Sequence, residues 1–168
     1  LLTWAVPEPE HEVQRPERGS LRAMLARRPV WGFFAATFLM QASHGAYYGF
    51  FSILLRDAGY SGLSIGLLWG LGVLAEVVVF LYTDQLLRRV GVRAVLVASL
   101  WLAALRWLVI GATGWLPLLL AAQLLHAATF ATFHAAAAQH THDLFPAALR
   151  SSGFALYSSL AFGFGGGV

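Results

Sequence analysis

The sequence predicts an all-α protein that crosses a membrane several times, and three observations carry that prediction. The 168 residues are 58% hydrophobic and only 11% charged, whereas a soluble domain averages about 25% charged residues. A chain so apolar cannot cover its own surface in water. Crossing the hydrocarbon core takes about 20 mostly apolar residues, and such segments fall at roughly 30–55, 62–83, 94–112, 115–139 and 151–168, the last of them interrupted. Finally, the arginines alternate with these segments. Arg15, Arg18, Arg22, Arg27 and Arg28 precede the first span, Arg88, Arg89 and Arg93 lie between the second and third, and Arg150 lies between the fourth and fifth. If the spans alternate in direction, all of these fall on one side and Arg56 alone falls on the other. The positive-inside rule then places the linker 7–29 and the loop 84–93 in the cytoplasm.

Composition excludes several classes. Cysteine is absent, which removes disulfides, thiolate metal sites and cysteine nucleophiles. The net charge of +3 comes from arginines dispersed at helix ends, so no nucleic-acid partner is expected. The expected partner is the lipid bilayer.

Taken in order, Leu1–Val6 reads as the last turn of an earlier hydrophobic segment, and Pro7–Arg28 is polar and broken by prolines. Ser20–Arg28 has the pattern of a short amphipathic helix at the membrane surface, with Ser20 as its cap. The chain stops within the apolar run SLAFGFGGGV. Both ends read as cut, so an internal piece of a longer polypeptide is expected. Within the second span Gly62, Gly66 and Gly70 recur every four residues, a spacing that lets membrane helices approach closely. Gly163, Gly165, Gly166 and Gly167 are expected to let the fifth span bend. Trp31 and Trp115 suit the interfacial belts.

The first span contains QASHGAYYGFF at residues 41–51, polar groups where an unpaired one is costly. Gln41-Ala-Ser-His44 recurs as Gln123-Leu-Leu-His126 in the fourth span, with Phe130 and Phe133 at the offsets of Tyr48 and Phe51. Spans one and four run in opposite directions. A repeat three helices apart with inverted direction is the signature of a 3+3 inverted-topology fold. Gln41, His44, Tyr48 and Phe51 are expected on one helix face, packed on another helix or lining a cavity.

With QASHGAYYGFFS, GYSGLSIGLLWGLGVLAEVVVF, LRW at 105–107 and QLLHAATFATFH on the page, the chain resembles the second half of a major facilitator superfamily member, within the 3-phenylpropionic acid transporter family. The resemblance implies a partial six-helix half of a twelve-helix fold. Residues 1–29 would end a preceding helix and form the linker, and 30–168 would be helices seven to eleven. The first half and helix twelve would be missing. The segment from Asp84 to Arg93 is similar to the superfamily's loop between helices eight and nine, although its spacing departs from the usual Gly-x-x-x-Asp-Arg-x-Gly. The resemblance further implies a secondary transporter, not an enzyme, of a bacterial inner membrane. It would move a small, possibly aromatic, organic acid such as 3-phenylpropionate by alternating access, with no cofactor, and both Gln-x-x-His faces would line the solute path.

Two charges lie inside spans: Glu76 in the second and Arg106 in the third. Charges at such depth are functional or paired. At about 1.5 Å per residue their heights agree within roughly 5–8 Å, so a direct Glu76–Arg106 ion pair is expected. It either only locks two helices or couples proton to solute, with Glu76 exchanging the proton and Arg106 holding a solute carboxylate through its planar fork. His44 and His126 are candidates for proton relay or solute binding. Gln41, Tyr48, Gln123 and Phe130 complete the expected solute-binding set. The aromatics Tyr47, Tyr48, Phe50, Phe51, Phe130 and Phe133 either stack on an aromatic solute or pack helices. His134 is expected to be structural, and His140 and His142 solvated. Two other classes remain open: a haem or metal redox protein using His44 and His126, and a membrane subunit that transports nothing.

Overall fold

The computed structural model describes residues 18–165, with side chains from 21 to 163. The expected helix end at 1–6, the linker residues 7–17 including Arg15, and Gly166 and Gly167 lie outside them. Among the described residues there is no strand. Six α-helices follow one another: α1 (Arg18–Leu25), α2 (Arg28–Asp57), α3 (Gly62–Val90), α4 (Val92–Ala112), α5 (Leu116–Leu144) and α6 (Arg150–Ser158). A 3-10 turn, Ala147–Leu149, leads into α6, and a π-helical stretch, Ser159–Gly165, continues it.

The chain chemistry explains the helix ends. Pro29 and Pro117 stand in the first turns of α2 and α5, where a missing N–H is no loss. The Ser61 hydroxyl accepts from the Ser64 N–H at 3.2 Å and caps α3. The chain is helical from Arg18 onward, so Ser20 lies within the first turn of α1 rather than ahead of it. The expected 84–93 loop shrinks to a single residue, because α3 runs through Val90 and α4 starts at Val92. Gly91, at φ 89°, makes the turn between them, a conformation that glycine adopts without a Cβ penalty. Arg88 and Arg89 fall in the last turn of α3, where positive charge suits the helix dipole. Arg88 also pairs with Asp84 on the exposed surface.

By length and composition α3, α4 and α5 are each able to cross a membrane. The 30-residue α2 is long enough, but Gln41, Ser43, His44, Tyr47 and Tyr48 make its middle too polar to qualify on composition. Exposed Leu63, Leu67, Leu74, Leu81, Trp101 and Leu108 face outward, as side chains in contact with lipid would. Trp31 and Trp115 are also exposed, and the Trp31 indole donates to the Leu25 carbonyl at 2.6 Å.

Helix α5 is the centre of the bundle. It packs on α3 and α4, and α2 lies along the π-helical stretch. The expected close packing through Gly62, Gly66 and Gly70 is absent among the described residues: a Cβ added at any of the three would meet nothing within 4 Å. Those positions lie on the outer face of α3. Its close approach comes at Gly72, where an added Cβ would lie 3.7 Å from the His126 ring.

Two apolar clusters fill the interior. One gathers Phe33, Phe34, Met40, Phe133, Ala137, Phe145 and Tyr157. The other gathers Tyr47, Phe51, Leu55, Leu68, Ile110 and Leu119. Along α2, α4 and α5 alike the chain passes from one cluster to the other, and at each crossing it places buried polar residues: Gln41 and His44, Arg106, and Gln123 and His126. The polar layer is sealed above and below.

Candidate functional site

The polar layer is built from four helices. The His126 imidazole stands at its middle on α5. Its Nε2 lies 2.7 Å from the Glu76 carboxylate on α3, and its Nδ1 lies 2.5 Å from Arg106 Nη1 on α4. The expected direct Glu76–Arg106 pair is therefore not formed, because His126 stands between the two. Matching heights along the helices gave no information on azimuth, and α5 fills the space that separates α3 from α4.

The order of the three groups is also an order of exposure. The Glu76 side chain is 17% exposed, His126 is 3% and Arg106 is 0%. Glu76 and His126 border a cavity of about 80 Å³ with Tyr47, Tyr48, Trp69, Gly72 and Val73. At roughly 30 Å³ per molecule that volume holds two or three waters. Arg106 lies behind the imidazole, away from that cavity. The Arg106 guanidinium also sits 4.6 Å over the Tyr47 ring, a cation–π contact that favours the charge away from water.

On α2 the buried face differs from the expected one. Gln41, His44 and Phe51 are buried together as expected, but the buried tyrosine is Tyr47. Tyr48 is 48% exposed. Spacings of three and then three again keep Tyr47 on the inward side, whereas Tyr48 turns to the rim. There it stacks on Trp69 at 5.8 Å. The spacing pattern could have pointed to Tyr47 as much as to Tyr48, but nothing in it marked the phenol's partner: the Tyr47 hydroxyl donates to Gln123 Oε1 at 2.7 Å. The Gln123 amide in turn donates to the Leu68 carbonyl at 3.1 Å. Both ends of Gln123 are thus committed to α2 and α3, and its contribution is to hold Tyr47 in place.

His44 bonds the Met40 carbonyl through Nδ1 at 2.8 Å, and its ring lies 5.2 Å from both His126 and Phe130. Phe130 stacks on His126 at 5.7 Å. His134 bonds the Tyr157 hydroxyl at 2.8 Å, tying α5 to α6. His142 is exposed and 3.2 Å from Asp143, but His140 is half-buried with its ring 4.8 Å from Phe33, so it packs where solvation was expected. Phe133 is a core residue and Phe50 is exposed.

A haem held between His44 and His126 does not fit these donors. Both nitrogens of His126 and one of His44 are engaged, and the two rings pack at 5.2 Å. Among the described residues no group of three or more His, Asp or Glu side chains is placed to hold a metal ion.

Apolar helices around a buried acid–imidazole–guanidinium chain define a multi-pass membrane protein. The chain belongs to the MFS_1 like family, whose model matches residues 3–168. The fold is part of one six-helix half of that twelve-helix architecture. A protein named "Probable 3-phenylpropionic acid transporter" from Escherichia coli K12 is 40% identical over 134 residues, which is 79% of this chain and 35% of that protein. An uncharacterized Bacillus subtilis transporter, YwbF, is 23% identical over 165 residues, 98% of this chain and 41% of its own. A maltose permease from Geobacillus stearothermophilus is 27% identical over 148 residues, 88% of this chain and 38% of its own. The chain thus spans about two-fifths of the length of these relatives. No solved structure matches it.

Proposed function

We propose that the whole protein is a proton-coupled secondary transporter for a small organic acid, with 3-phenylpropionate as the first candidate solute. The observation that carries this reading is the chain from Glu76 through His126 to Arg106. With Glu76 ionised, the acid and the arginine cancel. When Glu76 takes a proton from the cavity beside it, Arg106 is left as an uncompensated buried cation, a costly state. An anionic solute relieves it. Proton and anion therefore bind best together, which is the thermodynamic requirement for symport, and no covalent step is needed. The Arg106 Nε and Nη2 donors are unpartnered and form one edge of the guanidinium, the geometry that takes a carboxylate with two hydrogen bonds.

The aromatic rim suits an aromatic acid. Tyr48, Trp69 and Phe130 present ring faces beside Glu76 and His126. In this reading the spans are helices seven to eleven, the chain rocks against an N-terminal half of the same polypeptide, and the protein sits in a bacterial inner membrane. Residues 7–29 and the 84–93 segment are cytoplasmic.

The test is 3-phenylpropionate uptake by the full-length protein in proteoliposomes under an inward proton gradient. Glu76→Gln keeps an oxygen for the His126 N–H but cannot carry a proton. It should lose gradient-driven accumulation while retaining solute exchange. Normal accumulation by Glu76→Gln would make Glu76 a structural partner of His126. If the wild-type protein accumulates neither 3-phenylpropionate nor any of a wider panel of organic acids and sugars, the subunit that transports nothing becomes the better reading.

A further inference from the structure

Four atoms of the polar layer find no hydrogen-bond partner among the described residues: Arg106 Nε and Nη2, Gln41 Oε1 and His44 Nε2. They fall into two chemical kinds. The arginine nitrogens donate, and a solute carboxylate satisfies them. The other two accept. For His44 the Met40 carbonyl 2.8 Å from Nδ1 can only accept, so Nδ1 holds a proton; the ring is fully buried with no carboxylate bonded to it among the described residues, which favours the neutral form with a lone pair on Nε2. His44 is 0% exposed and Gln41 is 6%. Both sit one turn apart on the inward face of α2, and an acceptor left unsatisfied there carries its full desolvation penalty. A bare aromatic acid has no proton to offer either of them.

We infer that the solute of this site carries a hydroxyl in addition to its carboxylate, and that the hydroxyl donates to His44 Nε2. This rests on the organic-acid reading above and narrows it from an unsubstituted aromatic acid to a hydroxylated one. The His44 ring lies beneath Phe130 at 5.2 Å and Tyr48 at 6.4 Å. In this inference the solute ring enters by displacing Tyr48, which is 48% exposed. A solute ring inserted between those two side chains brings a ring hydroxyl to His44, and His126 separates that contact from the carboxylate at Arg106. Gln41 Oε1 offers a second acceptor one turn along.

The experiment uses the full-length transporter in proteoliposomes. It compares gradient-driven uptake of 3-phenylpropionate, its 3- and 4-hydroxyphenyl analogues and the matching methoxyphenyl analogues. The readout is the ratio of kcat/KM values within one preparation, which does not depend on how much protein inserts. At least one hydroxyphenyl acid should exceed 3-phenylpropionate about tenfold, the worth of one well-made hydrogen bond, and its methoxy counterpart should not. His44→Phe should collapse that ratio to near one, and His44→Gln, which keeps an acceptor oxygen, should retain part of it. A wild-type ratio near one with both acids carried would overturn the inference and leave the transport reading standing. Equal preference for hydroxyl and methoxyl, or an unchanged ratio in His44→Phe, would overturn it too. Should no acid be carried at all, both readings fall.

Discussion

Arg106 Nη1 lies 2.5 Å from His126 Nδ1, and a guanidinium can only donate. That contact therefore fixes His126 Nδ1 as an acceptor and places the imidazole proton on Nε2, where it is donated to Glu76. Arginine sets the tautomer, and the tautomer sets which way the acid is held. Nitrogen-15 solid-state NMR of histidine-labelled protein should find His126 protonated at Nε2 and bare at Nδ1 at neutral pH. An imidazolium signal from His126 there would contradict the arrangement.

Removing one charge of a buried set leaves the other unpaired, which costs about 3–5 kcal/mol, whereas removing both is close to neutral. Arg106→Gln alone should markedly lower the melting temperature of the detergent-purified full-length protein. Glu76→Gln/Arg106→Gln should recover most of that loss. Proton-driven accumulation should be absent in both. Recovery of stability without recovery of coupling separates the electrostatic role of the pair from its structural one.

Among the described residues, the Tyr47 hydroxyl supplies the one hydrogen that Gln123 Oε1 receives from a side chain. Tyr47→Phe should cost about 1–3 kcal/mol, because it strands a buried acceptor. Adding Gln123→Leu should give back part of the loss, since the two partners are then removed together. Denaturant or thermal titration of the four proteins of the double-mutant cycle measures the coupling.

Where α6 meets the turn before it, an added Cβ at Gly153 would lie 2.5 Å from the Phe145 ring. That is closer than carbon atoms approach, and Phe145 is buried. Gly153→Ala should destabilise by about 1–3 kcal/mol through overpacking, and Gly153→Ala/Phe145→Leu should be more stable than Gly153→Ala alone. Fluorescence-detected size-exclusion after heating is a sufficient measurement.

The architecture was legible in the sequence because membrane spans are written in runs long enough to average over single residues. The site was legible only by depth. Counting residues put Glu76 and Arg106 at similar heights, and both reach the level of His126. It could not say that His126 would intervene between the acid and the arginine, because that depends on how α5 is rotated between α3 and α4. The same blindness to rotation favoured Tyr48 over Tyr47: both belong to QASHGAYYGFF, and one residue along a helix is a turn of about 100°. The glycine row at 62, 66 and 70 failed for a related reason. Four-residue spacing marks a groove on α3 but not which neighbour, if any, fills it.

Gln123 grips the Tyr47 hydroxyl on α2 and the Leu68 carbonyl on α3 from its place on α5. Mechanically it is a rivet through three rods at a single level. Rods riveted at one point can splay at their tips while the riveted level turns almost in place, and the travel grows with distance from it. Any rocking of this bundle is then widest at the helix ends, near the positive-φ glycines Gly59 and Gly91. The Glu76–His126–Arg106 chain lies beside the rivet, so in any such rocking it would be displaced least of all.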